Sequence, residues 1–132
     1  MKFEHFALNI PDTRATSQWY VANLGLRVAR QMAEDPYTTF LADDSGRIII
    51  EFYSNKAAIF PDYASSHPLC FHIAFVSGDP VADAKRLVAA GGSPFSEQTM
   101  PDGSVLTMIR DPWGIPLQFV KRGTPFPAIP AL

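Results

Sequence analysis

Several features that would define a class of protein are scarce in this sequence of 132 residues. Its single cysteine, Cys70, excludes an internal disulfide. No apolar run approaches the roughly 20 residues that a membrane-spanning helix needs, and Met1 to His5 do not open the long apolar segment of a secretion signal. A formal net charge of −2 gives no electrostatic reason to expect nucleic acid or membrane as a partner. We therefore expect a cytoplasmic, globular protein.

Apolar residues and prolines are, by contrast, abundant. Apolar residues form 47% of the chain, which at this length suits one domain with a substantial core. Proline occurs 12 times, and three of these residues, Pro125, Pro127 and Pro130, lie close together near the end. They predict an extended tail over residues 123–132, which is neither a helix nor a central strand.

A short pattern near the N-terminus recurs in the second half of the chain. Residues 3–9 are Phe-Glu-His-Phe-Ala-Leu-Asn, and residues 70–76 are Cys-Phe-His-Ile-Ala-Phe-Val. A shift of 67 positions brings His5 onto His72. The same shift relates glycines and turn-forming acids, namely Gly25 with Gly92, Asp12 with Asp79, and Asp44 with Asp111. We interpret this agreement as an internal duplication.

Each half has the order strand, helix, strand, strand, strand. Strands are predicted at 3–10, 26–32, 37–41 and 47–53, then at 70–76, 94–98, 105–109 and 115–121, and helices at 13–23 and 81–90. The pattern predicts an α+β fold with two βαβββ modules in one chain. Module 1 spans about residues 1–54 and module 2 about residues 69–122, with a connector at residues 55–68.

Polar residues stand at equivalent places in the last strand of each half. Glu51 follows His5 by 46 positions, and Gln118 follows His72 by the same number. Both lie between apolar residues that must face a core, so we expect all four side chains to project from the sheet face opposite the helix. Two imidazoles, one carboxylate and one amide oxygen are suitable ligands for a divalent metal such as zinc, nickel, iron or manganese.

The same residues also have ordinary structural interpretations. A histidine in a strand is commonly a hydrogen-bonded structural residue, and the spacing contains no compact zinc-binding motif. Ala7 and Ala74 lie on the histidine side of their strands, where small side chains would leave room for a ligand. His67 breaks the symmetry and is expected at the surface, and Cys70 is expected to be a buried thiol.

The sequence resembles the vicinal oxygen chelate superfamily in three features. These are the opening residues 3–9, the closing Arg-Asp-Pro-Trp-Gly-Ile-Pro-Leu-Gln-Phe of residues 110–119, and the two βαβββ halves. That superfamily includes glyoxalase I, fosfomycin-resistance proteins, methylmalonyl-CoA epimerase, extradiol dioxygenases and bleomycin-resistance proteins. The resemblance covers about residues 3–122. It implies a glyoxalase-like fold in which two curled sheets form a cleft with a metal at its floor. The ligand positions that it implies in this chain are His5, Glu51, His72 and Gln118.

The resemblance implies a metal-dependent lyase or isomerase that acts on a small oxygen-rich substrate chelated to the metal. Glu51 is then the candidate catalytic base. Many metal-using relatives have Glu where this chain has Gln118, and an amide cannot act as a base at neutral pH. The alternatives are a metal-free, antibiotic-like small-molecule binding protein of the bleomycin-resistance type, or a ring-cleaving dioxygenase. Aromatic residues, of which Phe40 is one, would favour flat organic ligands in the binding protein.

Two further residues are weaker candidates for the substrate pocket. Tyr53 lies two positions after Glu51 on the same strand face, and Arg110 lies at a strand end, where it could meet an anionic substrate. The expected partner is a small-molecule substrate or ligand. The resemblance also implies a homodimer, with the cleft formed within one chain or between exchanged halves.

Overall fold

The structure is a computed structural model that describes residues 1–127. The chain divides into two compact units, Met1–Pro61 and Asp62–Leu132. Each unit contains one of the predicted βαβββ modules, which confirms the predicted fold class. Pro125 and Pro127 lie outside any helix or strand, as predicted, and Pro130 lies outside the described residues. No helix within the described range is long and apolar enough to cross a membrane.

The first unit is a four-stranded sheet with one helix. In chain order its elements are β1 (Phe6–Asn9), α1 (Thr13–Leu24), β2 (Arg27–Gln31), β3 (Thr39–Ala42) and β4 (Ile48–Tyr53). The strand order is β1-β4-β3-β2, with β1 parallel to β4 and the other neighbours antiparallel. Asp12 begins α1 because its side chain accepts a hydrogen bond from the backbone N–H of Ala15 at 2.9 Å. Gly25 ends α1 in the left-handed conformation with φ of 69°.

The second unit repeats this architecture. Its elements are β5 (Ile73–Val76), α2 (Pro80–Ala89), β6 (Ser93–Thr99), β7 (Val105–Arg110) and β8 (Pro116–Lys121). The strand order is β5-β8-β7-β6, with β5 parallel to β8. Asp79 caps α2 by accepting from the backbone N–H of Ala82 at 3.1 Å. Gly92 follows α2 where the backbone passes β7 closely, since a Cβ there would lie 2.7 Å from the Arg110 carbonyl oxygen.

The duplication extends to the pairing of the strands. In the first unit Ala7 pairs with Glu51 across β1 and β4. In the second unit Ala74 pairs with Gln118 across β5 and β8, again at a shift of 67 positions. Because a register slip of one residue would turn each side chain to the other face, the shared register gives Glu51 and Gln118 equivalent places in their sheets.

The first strand of each unit begins clearly later than the sequence predicts. β1 begins at Phe6 and β5 at Ile73, three residues after the predicted starts in each case, so that both predicted histidines directly precede a strand. In the second unit a turn causes the delay, because the N–H of Cys70 donates to the carbonyl of His67 at 2.8 Å. The expectation that Cys70 is buried is wrong, since this turn leaves its thiol exposed. His67 is exposed, as expected.

Candidate functional site

In the first unit, two of the predicted ligands are in direct contact. His5 precedes β1, and it lies two residues before Ala7, the residue that pairs with Glu51 in β4. The imidazole Nε2 of His5 lies 3.0 Å from Oε2 of Glu51, and both side chains are largely buried. The parallel pairing of β1 with β4 therefore brings a histidine and a glutamate together that are 46 positions apart in the chain.

Glu51 projects from the sheet face that α1 does not cover. Its neighbours Ile50 and Phe52 are completely buried. Phe52 packs against Tyr20 of α1, with the ring centroids 4.9 Å apart and the rings nearly perpendicular at 81°. Since side chains alternate along a strand, Glu51 must point away from the helix, as the sequence predicts.

Two further residues of the first unit contact His5. The ring of Phe40 in β3 lies edge-on to the imidazole at a centroid distance of 5.4 Å and an angle of 82°. Phe40 reaches this place because it pairs with Glu51 across β3 and β4. On the other side of the imidazole, Nδ1 of His5 lies 2.7 Å from Oε2 of Glu4. The imidazole thus has a carboxylate near each nitrogen.

In the second unit, His72 is held through one ring nitrogen. Its Nδ1 lies 3.0 Å from the carbonyl oxygen of Pro68. Because a carbonyl can only accept, Nδ1 must carry the hydrogen in this contact. In the neutral ring, Nε2 then keeps a lone pair that can bind a metal. His72 as a whole residue is exposed.

Gln118 occupies the face of the second sheet opposite α2. Its pairing partners are Ala74 on one side and Met108 on the other. The neighbouring pair of Thr107 and Phe119 lies on the helix side, because the Thr107 hydroxyl donates to the carbonyl of Pro80 in α2 at 3.0 Å. Alternation then turns Gln118 to the opposite face, where it is partly exposed. Both polar residues of the last strands therefore face as predicted.

The distance between His5 and Glu51 is compatible with two ligands of one divalent metal ion. Two ligand atoms at metal bond lengths of about 2.0–2.1 Å lie about 2.9 Å apart at a right angle and about 3.3 Å apart in a tetrahedron. The separation of 3.0 Å between His5 Nε2 and Glu51 Oε2 lies within that interval. His72 has the second contact that metal-binding histidines usually make through the other nitrogen.

Each unit on its own provides two of the four predicted ligands. Across residues 1–127, no group of three or more His, Cys, Asp and Glu side chains is arranged to hold a metal ion. The structure shows only His5 and Glu51 of the predicted set in contact among the described residues. The set of four, with His72 and Gln118, stays a prediction.

The two weaker candidates have different surroundings. Tyr53 is partly buried at the end of β4. The Arg110 guanidinium donates to three backbone carbonyls, those of Tyr63 at 2.8 Å, Gly114 at 3.0 Å and Ser66 at 2.7 Å. Two of these bonds tie the segment before β5 to the end of β7, and the bond to Gly114 holds the turn between β7 and β8. The predicted substrate contacts of Tyr53 and Arg110 stay predictions.

Sequence reasoning missed the contact of Glu4 with His5. Consecutive residues in a strand point to opposite faces, and a strand from residue 3 would separate the two side chains. Because β1 begins only at Phe6, that alternation does not apply to Glu4 and His5. The only signal available in the sequence was that a carboxylate directly precedes the histidine.

The two βαβββ units and their matched polar residues are typical of one class of protein. The model of the Glyoxalase/Bleomycin resistance protein/Dioxygenase superfamily matches residues 2–119. The chain belongs to this superfamily, as its resemblance to the vicinal oxygen chelate proteins predicts. No protein with a curated description matches it.

Several solved structures are similar over nearly the whole chain. The crystal structure of SMU.1112c is 26% identical with a TM-score of 0.69, and the match covers 92% of this chain and 98% of that one. A lactoylglutathione lyase from Agrobacterium tumefaciens is 18% identical with a TM-score of 0.64, covering 90% and 92%. A glyoxalase-related enzyme from Fulvimarina pelagi is 17% identical with a TM-score of 0.66, covering 90% and 86%. The last two likenesses concern the fold alone.

Proposed function

We propose that this protein is a metal-dependent lyase or isomerase that acts on a small, oxygen-rich substrate. The observation that carries the proposal is the 3.0 Å contact of His5 Nε2 with Glu51 Oε2. The ligand set that we propose consists of His5, Glu51, His72 and Gln118. A divalent cation such as zinc, nickel, iron or manganese would supply Lewis acidity there, by polarising substrate oxygens.

Glu51 is the residue to which we assign proton transfer. It is the only carboxylate in the proposed ligand set, and its neutral counterpart Gln118 cannot accept a proton at ordinary pH. The residue of β1 that pairs with Glu51 is Ala7, which is exposed and carries only a methyl group. This small neighbour leaves space beside the carboxylate for a substrate carbon. Ala74 leaves the same kind of space beside Gln118.

The two weaker candidates receive different roles. Tyr53 follows Glu51 on the same face of β4, and we propose that its hydroxyl contacts the substrate. Arg110 already uses its guanidinium on three backbone carbonyls. For Arg110 we therefore favour support of the segment before β5 over contact with an anionic substrate.

A metal-free binding protein is the second candidate function. The aromatic ring of Phe40 beside His5 provides an apolar wall that suits a flat organic ligand. The amide of Gln118, where many metal-using relatives have a carboxylate, favours this candidate too. A ring-cleaving dioxygenase remains the third, since His5, His72 and Glu51 form the two-histidine, one-carboxylate set used with iron. That activity would require both iron and oxygen.

We also propose that the protein is a homodimer in the cytoplasm. β5 is an edge strand of its sheet, and its last residue, Val76, is 95% exposed. Leu69, just before this strand, is 78% exposed. Apolar side chains exposed along a strand edge mark a surface that a second copy of the chain can cover. The exposed thiol of Cys70 fits the reducing interior of a cell.

Thermal unfolding with added metal tests the proposed function. A metal at 100 times its Kd stabilises the native protein by about 2.7 kcal/mol, which for a chain of this length raises Tm by roughly 8–10 °C. We expect this shift with at least one of zinc, nickel, cobalt, manganese or iron. His5→Ala and His72→Ala should abolish it. The matched control His67→Ala should retain it, since His67 is an exposed histidine outside the proposed ligand set.

The outcomes separate the candidate functions. No shift of Tm with any of the metals would overturn metal-dependent catalysis and leave the binding protein. A shift that only iron produces, with oxygen uptake on addition of a catechol, would favour the dioxygenase. A shift retained in both His5→Ala and His72→Ala would mean that metal binds elsewhere.

A further inference from the structure

One ring nitrogen of His5 lacks a hydrogen-bond partner although it is buried. Nδ1 of His5 makes no hydrogen bond with any described residue. Oε2 of Glu4 nevertheless lies 2.7 Å away, close enough for an ion pair but outside hydrogen-bond geometry. A buried nitrogen without a partner is costly. A small rotation of the Glu4 side chain, which is 74% exposed, would complete the bond.

The second unit, by contrast, gives the equivalent nitrogen a hydrogen-bond partner. Nδ1 of His72 lies 3.0 Å from the carbonyl oxygen of Pro68. The shift of 67 positions places Phe71 where the first unit has Glu4, so that no carboxylate precedes His72. In both units an oxygen atom that can accept a hydrogen bond lies near Nδ1 of the histidine, and only in the first unit does this oxygen belong to a charged side chain. A charged acceptor makes a stronger hydrogen bond than a neutral carbonyl.

Glu4 lies on the opposite edge of the imidazole from Glu51. One carboxylate faces Nδ1 and the other faces Nε2, at 2.7 Å and 3.0 Å respectively. A cation bound at Nε2 would therefore have Glu51 beside it and Glu4 behind the ring. The edge-on ring of Phe40 limits tilting of the imidazole but leaves the choice of nitrogen open. An acceptor at Nδ1 holds the hydrogen of the neutral ring on that nitrogen, which leaves the lone pair of Nε2 for a metal.

We propose that Glu4 is a positioning residue, whose carboxylate accepts the Nδ1 hydrogen of His5 and so directs Nε2 toward Glu51 and a divalent cation. This inference rests on the proposed function, since it assumes that His5 is a metal ligand. Such second contacts commonly change metal affinity by about 10- to 100-fold. Because Glu4 is 74% exposed and water competes for its carboxylate, the lower end of that interval is expected.

Cobalt(II) binding to three variants of the full chain tests the proposal. Glu4→Ala should weaken cobalt binding about tenfold, and Glu4→Gln, which keeps a neutral acceptor, should fall between Glu4→Ala and the wild type. Glu97→Ala is the matched control, since Glu97 is an exposed glutamate on β6. Its affinity should equal that of the wild type. Competition with a coloured chelator measures all four affinities.

Proton NMR of the cobalt-loaded protein distinguishes a positioning role of Glu4 from a merely structural one. The ring N–H of each cobalt-bound histidine gives a shifted, exchangeable signal. The His5 signal, assigned through its proximity to the Phe40 ring protons, should exchange faster with solvent in Glu4→Ala. If Glu4 only stabilised the fold, Tm would fall while affinity and exchange stayed unchanged, and that result would overturn the proposal.

The failure of this inference can be distinguished from failure of the proposed function. A wild-type protein that binds no cobalt or other divalent metal would overturn the proposed function, and this inference with it. A wild type that binds cobalt through His5, together with a Glu4→Ala variant of equal affinity and equal exchange, would overturn the role of Glu4 alone.

Discussion

Replacement of Arg110 with alanine removes three hydrogen bonds, two of which hold the segment before β5. The guanidinium donates to the carbonyls of Tyr63, Gly114 and Ser66 at 2.8, 3.0 and 2.7 Å. A hydrogen bond to a charged group contributes about 1.5–3 kcal/mol. These bonds share one partly buried side chain and are not additive, so we expect a loss of about 3–4 kcal/mol for Arg110→Ala.

The assay is unfolding in urea, with thermal unfolding beside it. For a chain of this length, a loss of 3–4 kcal/mol corresponds to a Tm lower by roughly 10–15 °C. Arg27→Ala is the matched control, because the exposed Arg27 makes one long bond, at 3.3 Å, to the carbonyl of Asp43. Its effect should stay within about 0.5 kcal/mol. An Arg110→Ala variant no less stable than Arg27→Ala would refute the structural role.

Arg110→Lys separates the structural role of Arg110 from contact with a substrate. Lysine keeps the positive charge but cannot reproduce the planar fork that reaches several carbonyls at once. If the guanidinium is structural, Arg110→Lys should lose most of the stability that Arg110→Ala loses. Its ligand affinity at temperatures where it is folded should stay unchanged. A large fall in ligand affinity with little loss of stability would instead assign Arg110 to the substrate pocket.

Three further predictions follow from the structure. Gln118→Glu should tighten metal binding about tenfold, because a charged ligand adds about 1.5 kcal/mol, and an unchanged Kd in competition titrations would argue against Gln118 as a ligand. Burial raises the pKa of Asp83, but hydrogen bonds from Ser77 and a neighbouring guanidinium outweigh it, so the net pKa lies below the ordinary 3.8. The stability that Asp83 contributes is therefore present above pH 3.8 and lost as pH falls through the lower, folded-state pKa. In the acid range, the free energy of unfolding should therefore change less with pH in Asp83→Asn than in the wild type, and identical curves for the two proteins would contradict this. Gly92→Ala should cost about 1–3 kcal/mol, since its Cβ would lie 2.7 Å from a carbonyl oxygen, whereas Gly78→Ala, with no atom within 4 Å, should cost far less in the same urea assay.

The fold was predictable because its determinants are local and repeated. Asp12 and Asp79 cap the two helices and Gly25 ends the first, and both helices lie within one residue of their predicted bounds. The common shift of 67 positions predicted equivalent places for Glu51 and Gln118, because both must turn the same way from their cores, and the pairing of the parallel strands agrees with it. Alternation of apolar and polar residues was sufficient for that inference.

The surroundings of the site were less predictable, because they depend on backbone groups distant in sequence. Nothing in the residue pattern indicates that Arg110 would donate to carbonyls 44 and 47 positions earlier. The contact of Glu4 with His5 depends on where β1 begins, and strand ends are the least reliable part of a pattern. Cys70 became exposed for a similar reason, through a turn that precedes β5.

Crystals grown with zinc or cobalt provide the most direct test of the proposed metal site. The proposal predicts one strong anomalous peak at about 2.0–2.2 Å from Nε2 of His5 and from a carboxylate oxygen of Glu51. Nε2 of His72 and the amide oxygen of Gln118 should complete its ligands. A map with no peak beside His5, or with its only peak at another site such as Cys70, would contradict the proposed metal site and the function derived from it.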